Sequence, residues 1–157
     1  MIRVEQEDPR LRPIQALFCD ADAASLLLYP GEERIGPTAA FLVAAEVRFF
    51  AAWREGAIVG CGGYVPVADG VAELKRLFVA AAARGFGVGR VLLDAAEDLA
   101  RREGFSRMRL ETGFRAASAL ALYRAAGFAE AAPFGPHAAD PSSRFMEKSL
   151  GPARPMG

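Results

Sequence analysis

The sequence predicts a single α+β domain built on one mixed, mostly antiparallel twisted sheet flanked by helices, and three observations carry that expectation. Three extended runs follow one another between residues 47 and 79, separated by Glu55-Gly56 and Asp69-Gly70, and read as strands joined by hairpin turns. A glycine-rich segment, RGFGVGR, then separates the last run from a stretch with apolar residues at helical spacing. A short extended run, an alanine-rich helical run and a final extended run complete the chain, an order that shares one sheet between strands and helices. The size suits one core: 157 residues are present, 52% of them hydrophobic, and a domain of about 150 residues buries about two-thirds of its unfolded-chain surface. No repeat or low-complexity linker interrupts residues 1–157, so one domain is expected.

Taken in order, residues 2–5 alternate apolar and charged side chains, the period of a strand. Residues 11–28 read as helix, with Pro13 tolerated in a first turn and Asp20 or Asp22 marking a break into two pieces. Tyr29-Pro30-Gly31 stops it, and Thr38 caps a brief helical turn through Ala45. Strands are expected at 47–54, 57–67 and 71–79. Phe49, Phe50 and Trp53 have the period of a half-buried strand, which suits core or dimer packing. The next helix places Val88, Leu92, Ala95, Ala96 and Leu99 on one side and ends at Gly104. A strand at 108–112, a helix at 116–126 closed by Gly127, and a strand at 144–150 follow.

Composition excludes several classes of function. The N-terminus carries Arg3, Glu5, Glu7, Asp8 and Arg10 where a secretory signal needs an apolar run, and no later stretch approaches the roughly 18 apolar residues of a membrane span. A cytoplasmic protein with no membrane partner is expected. Cys19 and Cys61 lie far apart and read as two buried thiols, while His137 is the sole histidine. No Cys/His zinc site can be built from them, and a nucleophilic triad would need His137, which lies in a proline- and glycine-rich segment without a nucleophile elbow. No metal is expected. Nineteen basic side chains balance nineteen acidic ones, but residues 1–72 hold 6 basic and 10 acidic groups and residues 73–124 hold 10 and 6. The basic middle suits a polyanionic ligand, yet a pI near 6.6 and the lack of interleaved aromatic and basic residues argue against nucleic acid. Arg101, Arg102 and Arg107 are equally explained as solvated helix and strand faces.

Arg84-Gly85-Phe86-Gly87-Val88-Gly89 joins a strand to an amphipathic helix, which gathers main-chain N–H groups at a helix N-terminus, an arrangement that suits an anion. Arg84 and Arg90 add charge at its margin. It is not a dinucleotide fingerprint, because Arg90 stands where the last glycine belongs, and it lacks the Lys-Ser/Thr ending of a phosphate loop.

Three segments, ELKRLFV from Glu73, R-x-x-G-x-G at Arg84, Gly87 and Gly89, and ALYRAAGF from Ala121, together resemble the GNAT superfamily of N-acetyltransferases. The resemblance spans about residues 47–150, and the segment PFGPHAADPSSRFMEKSL resembles a small bacterial branch with mostly unassigned acceptors. It implies the GNAT fold, acetyl-coenzyme A as co-substrate, and direct transfer to an amine with no covalent enzyme intermediate. It implies that Arg84, Gly85, Phe86, Gly87, Val88, Gly89 and Arg90 hold the coenzyme A pyrophosphate, and that Leu77, Phe78 and Val79 pair with the pantetheine arm. An N–H there would also stabilise the oxyanion formed on the thioester. Tyr123 matches the family tyrosine that protonates the departing thiolate and contacts the cofactor; many members carry Asn where this chain has Ala116.

An alkyl ammonium with a pKa near ~10 must lose a proton before it attacks. Among relatives a carboxylate at the start of the coenzyme strand serves this need, which points to Glu73. The same residue also reads as an ion-pair partner of Lys75 or Arg76, or as a ligand for a cationic acceptor. Glu73, Lys75, Arg76, His137 and Arg144 are the candidate acceptor contacts. Pro133, Pro136 and Pro141 stiffen a polar loop carrying His137, Asp140, Ser142, Ser143 and Arg144, a segment that suits either a cover for the acceptor or a surface turn. Glu111 and Thr112 frame the site if their strand turns them inward. The expected function is acetylation of a small-molecule amine, with a homodimer as the family's usual assembly. Protein or peptide N-acetylation and a non-catalytic acyl-coenzyme A sensor stay open beside it.

Overall fold

The structure is a computed structural model that describes residues 1–32 and 34–151. Its elements in chain order are β1 (Ile2–Gln6), α1 (Arg12–Leu28), α2 (Ala39–Ala44), β2 (Arg48–Arg54), β3 (Ala57–Ala68), β4 (Val71–Val79), α3 (Val88–Arg102), β5 (Arg107–Gly113), α4 (Ala117–Ala125), β6 (Ala129–Glu130) and β7 (Ser143–Ser149). The seven strands form one sheet in the order β1-β2-β3-β4-β5-β7-β6, antiparallel except where β4 meets β5. No described helix is long and apolar enough to cross a membrane.

Strand alternation gives the sheet two apolar faces, each with its own core. Phe50, Ala52, Tyr64, Ala72, Leu74, Met108, Leu110 and Met146 meet α3 and α4 through Val88, Leu92, Leu93, Leu120 and Tyr123. On the opposite face, Phe49, Ala51, Cys61 and Val65 meet Ile14, Leu17 and Phe18 of α1 and Leu42 of α2. Phe49 and Phe50 thus serve different cores, as consecutive strand residues must. A fully buried Leu or Val contributes about 2 kcal/mol, so the two buried leucines of α3, with Val88, account for most of that helix's hold on the sheet.

Two departures from the sequence reading have clear causes. α1 is one unbroken helix, because Asp22 turns its carboxylate to Gly36 N–H and to the Arg76 guanidinium instead of capping a new helix. β6 has two residues and adds only an edge against β7, too short for any periodicity to register. Thr38 does cap α2, its hydroxyl accepting from Phe41 N–H at 3.1 Å. Cys61 is buried but Cys19 is exposed on α1, which corrects the expectation of two buried thiols. Burial pushes the Cys61 thiol up to about 12.

The feature that positions the site is a bulge in β4. Cys61 pairs with Phe78 and Gly63 with Lys75, so Arg76 and Leu77 stand together opposite Gly62, and Arg76 takes φ +57°, unusual for a side-chain-bearing residue. Its side chain holds it there. The guanidinium pairs with Asp22 at 2.7 and 3.2 Å, donates to Pro37 O at 2.9 Å, and lies 4.4 Å from the Phe18 ring centroid. β4 and β5 pair only at Val71, Ala72 and Glu73, so the bulge lies in the stretch of β4 that has already parted from β5.

Candidate active site

Where β4 and β5 separate, a cleft of about 1060 Å³ opens between Leu74 to Val79 on one wall and Leu110 to Gly113 on the other. On the β5 side, β4 has no strand partner past Glu73. Its main-chain polar groups therefore offer an edge that an extended ligand can join. The side chains of Leu77 and Phe78 pack into the two opposite cores, which leaves the backbone as what this edge presents.

The glycine turn closes one end. Gly87, at φ +78°, is the N-cap of α3 and gives the chain the left-handed step needed to enter the helix. The first intrahelical bond is Val91 N–H to Gly87 O, so the N–H groups of Val88, Gly89 and Arg90 have no partner among the described residues. No acidic residue occupies the first turn of α3. Arg84, Gly85, Gly87, Val88, Gly89 and Arg90 all border the cleft. Phe86 does not: its ring lies against the Arg54 guanidinium, 3.8 Å from the centroid, on the outer side of the turn. This donor set fits a pyrophosphate.

Tyr123 of α4 and Glu111 of β5 meet the cleft from the other wall. The Tyr123 ring is buried against Phe128, and its hydroxyl bonds to none of the described residues. Burial, with the nearby Glu111 charge as a second cause, holds this phenol above its ordinary pKa of about 10. Glu111 is anchored through one oxygen only. Its Oε1 accepts from Arg34 Nη2 at 2.6 Å and from Ser143 Oγ at 2.8 Å, while Oε2, on a side chain that is 21% exposed, has no partner among the described residues. Strand alternation alone could have put Glu111 on either side; only the pairing of β5 with β7, Glu111 opposite Phe145, determines it.

Glu73, the carboxylate expected to act as base, is elsewhere. It sits at the last paired position of β4 and β5, does not border the cleft, and is 7% exposed. Its Oε1 accepts from Arg109 Nε at 2.8 Å and its Oε2 pairs with Lys75 Nζ. The Arg109 guanidinium stacks at 4.0 Å on Phe134. Of the readings of Glu73, the ion pair with Lys75 is the one the structure forms.

The candidate acceptor contacts divide. Lys75 and His137 border the cleft, as does Arg76, whose head group is committed to Asp22. Arg144 does not border it; its guanidinium rests on Phe114 and on the carbonyls of Pro141 and Ser143. A residue the sequence did not single out does more. Arg34, from the loop after α1, donates to Glu111, Asp140, Ser142 and Ser143, so one guanidinium joins that loop, β5 and the 133–143 loop. Asp140, held below its ordinary range by Ser142 donors, completes the cluster. A lone arginine in a polar loop carries no sequence signal for this.

The comparisons with known proteins agree in kind. A family model described as the acetyltransferase (GNAT) family matches residues 13–128. The chain is 41% identical over 150 residues to a protein named IAA acetyltransferase from Azospirillum brasilense, covering 95% of this chain and 98% of the other. It is similar to a solved structure from Klebsiella pneumoniae, provisionally described as an acyl-CoA N-acyltransferase, with TM-score 0.82 and 32% identity over 96% of this chain and 98% of that one. The paiA N-acetyltransferase of Thermoplasma acidophilum, solved in complex with coenzyme A, shares the fold at TM-score 0.73 and 20% identity, over 95% and 99% of the two chains.

Proposed function

The chain belongs to the GNAT acetyltransferase family and is an acyltransferase, and from that premise we propose that it moves the acetyl group of acetyl-coenzyme A directly to the amine of a small molecule. One observation carries this reading. One cleft holds a strand edge unpaired on the β5 side, a helix N-terminal turn and a carboxylate oxygen that have no partner among the described residues, and a buried tyrosine.

Acetyl-coenzyme A supplies the acetyl group as a thioester, already activated toward an amine. Val88, Gly89 and Arg90 N–H, with Arg84 and Arg90 beside them, are the groups that would hold its pyrophosphate. The β4 edge at Leu77, Phe78 and Val79 would align its arm, and a main-chain N–H there would donate to the carbonyl oxygen as charge develops. Glu111 Oε2 accepts from the acceptor ammonium and takes its proton, directly or through water. The freed nitrogen forms a C–N bond to the acetyl carbon as the C–S bond breaks. Tyr123 gives its proton to the departing sulfur and is reprotonated, directly or through water, by the second proton that the nitrogen loses as the amide forms, while the proton held at Glu111 returns to solvent. A phenol is protonated at neutral pH in any case, and burial, which pushes the Tyr123 pKa further up, keeps it protonated into the alkaline range.

The test is thiol release from acetyl-coenzyme A against a panel of small amines. Acceptor-dependent release is expected, with kcat in Tyr123→Phe lower by about a hundredfold, in line with loss of a general acid. The alkaline fall in kcat due to Tyr123 should lie above pH 10, since a raised pKa keeps the acid form until then. Coenzyme A binding without release for any amine would turn the reading to a binding module.

A further inference from the structure

We infer that the acceptor is a primary monoamine with an apolar body, seated with its ammonium on Glu111 Oε2 and its hydrocarbon on the end of α1; the inference rests on the acetyl-transfer reading above. The charges at this end of the cleft are mostly satisfied internally. Asp22 gives one oxygen to Gly36 N–H and Arg76 and the other to Arg76. Asp140 gives one oxygen to Ser142 and the other to Arg34. Among the described carboxylates that border the cleft, only Glu111 keeps an oxygen free. Among the described residues one ammonium therefore has a seat, and a second ammonium on the same molecule has none.

Apolar side chains complete the picture. Leu27, Leu28 and Ile35 border the same cleft, and Leu27 is 83% and Ile35 59% exposed. Large aliphatic groups left uncovered beside a single free carboxylate are what an amphipathic cation covers. Leu28 is tied to the site, because its carbonyl accepts from Arg115 Nη1 at 3.5 Å, next to the Arg115 N–H bond to Tyr29 Oη at 2.9 Å.

The experiment measures kcat/KM for n-alkylamines from propyl to heptyl, and for hexamethylenediamine against hexylamine, with coenzyme A binding followed by calorimetry. A rise of about fourfold per methylene is expected, the transfer free energy of one CH₂ expressed as a ratio. Hexylamine should exceed the diamine by at least about tenfold. In the double variant Leu27→Asp, Ile35→Asp, that preference should fall or reverse, with the coenzyme A dissociation constant held. A flat chain-length series, a diamine equal to or better than hexylamine, or coenzyme A binding with no alkylamine acetylated would each overturn the inference. Failure of coenzyme A to bind at all would instead overturn the acetyl-transfer reading on which it stands.

Discussion

At the scale of single residues, the two carboxylates on the same face of neighbouring strands have opposite situations. Glu73 has both oxygens bound by cations and lies below the point where the strands part. Glu111 has one oxygen fixed by Arg34 and Ser143 and one free at the cleft. Glu111→Gln removes the negative charge an ammonium needs, and should lower kcat/KM by at least about tenfold more than Glu73→Gln does. Glu73→Gln should act on folding, costing about 1 to 3 kcal/mol by leaving Lys75 and Arg109 without their counter-charge. Steady-state kinetics and urea unfolding on the two variants separate these effects; equal kinetic losses would return Glu73 to the chemistry. On the proposed mechanism Arg34 acts through Glu111 as a positioning residue, since its guanidinium, with the Ser143 hydroxyl, holds Oε1 and leaves Oε2 without a partner among the described residues.

At the scale of elements, the anion site depends on how closely α3 lies on the sheet. β3 has glycine at 60, and a Cβ there would come within 2.8 Å of Val88 Cγ1 and 3.0 Å of Leu92 Cδ1. That missing side chain lets the first turn of α3 sit against β3, level with the end of β4. Gly60→Ala should shift α3 outward by a few tenths of an ångström or more, cost about 1 to 3 kcal/mol as an overpacked contact, and weaken coenzyme A binding. Gly87→Glu acts differently: nothing lies within 4 Å of its Cβ, but φ is +78° and a carboxylate would enter the anion site. Calorimetry should find a larger loss of affinity for Gly87→Glu than for Gly60→Ala, whereas urea unfolding should find both destabilised. The β4 bulge is the third such device, since the partly buried Arg76–Asp22 pair holds Arg76 at φ +57° on the β4 wall of the cleft.

At the scale of the whole molecule, β4 and β5 are held together at Val71, Ala72 and Glu73 and apart beyond them, so a ligand that pairs with the open edge bridges the two halves of the sheet. Coenzyme A at about a hundred times its dissociation constant should therefore stabilise the fold by about 2.7 kcal/mol, read as a rise in Tm that Gly87→Glu abolishes. An equal rise in that variant would show binding elsewhere. Much of this architecture is legible in the residues themselves. Asp69-Gly70 and Glu55-Gly56 mark the hairpins, the helical period from Val88 to Leu99 marks α3, and the order of Arg84, Gly87, Gly89 and Tyr123 marks the family. These are local properties, set by backbone conformation and by spacing along one element. The choice between Glu73 and Glu111, the commitment of Arg76 to Asp22, and the gathering of Asp140, Ser142 and Ser143 around Arg34 belong to the tertiary structure alone. Each joins residues from different elements, 32 to 109 positions apart in the chain where the partners are Arg34, Glu111 and Ser143, and a carboxylate's chemistry depends on which cations reach it. Local spacing specifies the elements and the family; strand register and the parting of β4 from β5 decide which charged groups are committed to the fold and which carboxylate keeps an oxygen without a partner among the described residues at the cleft.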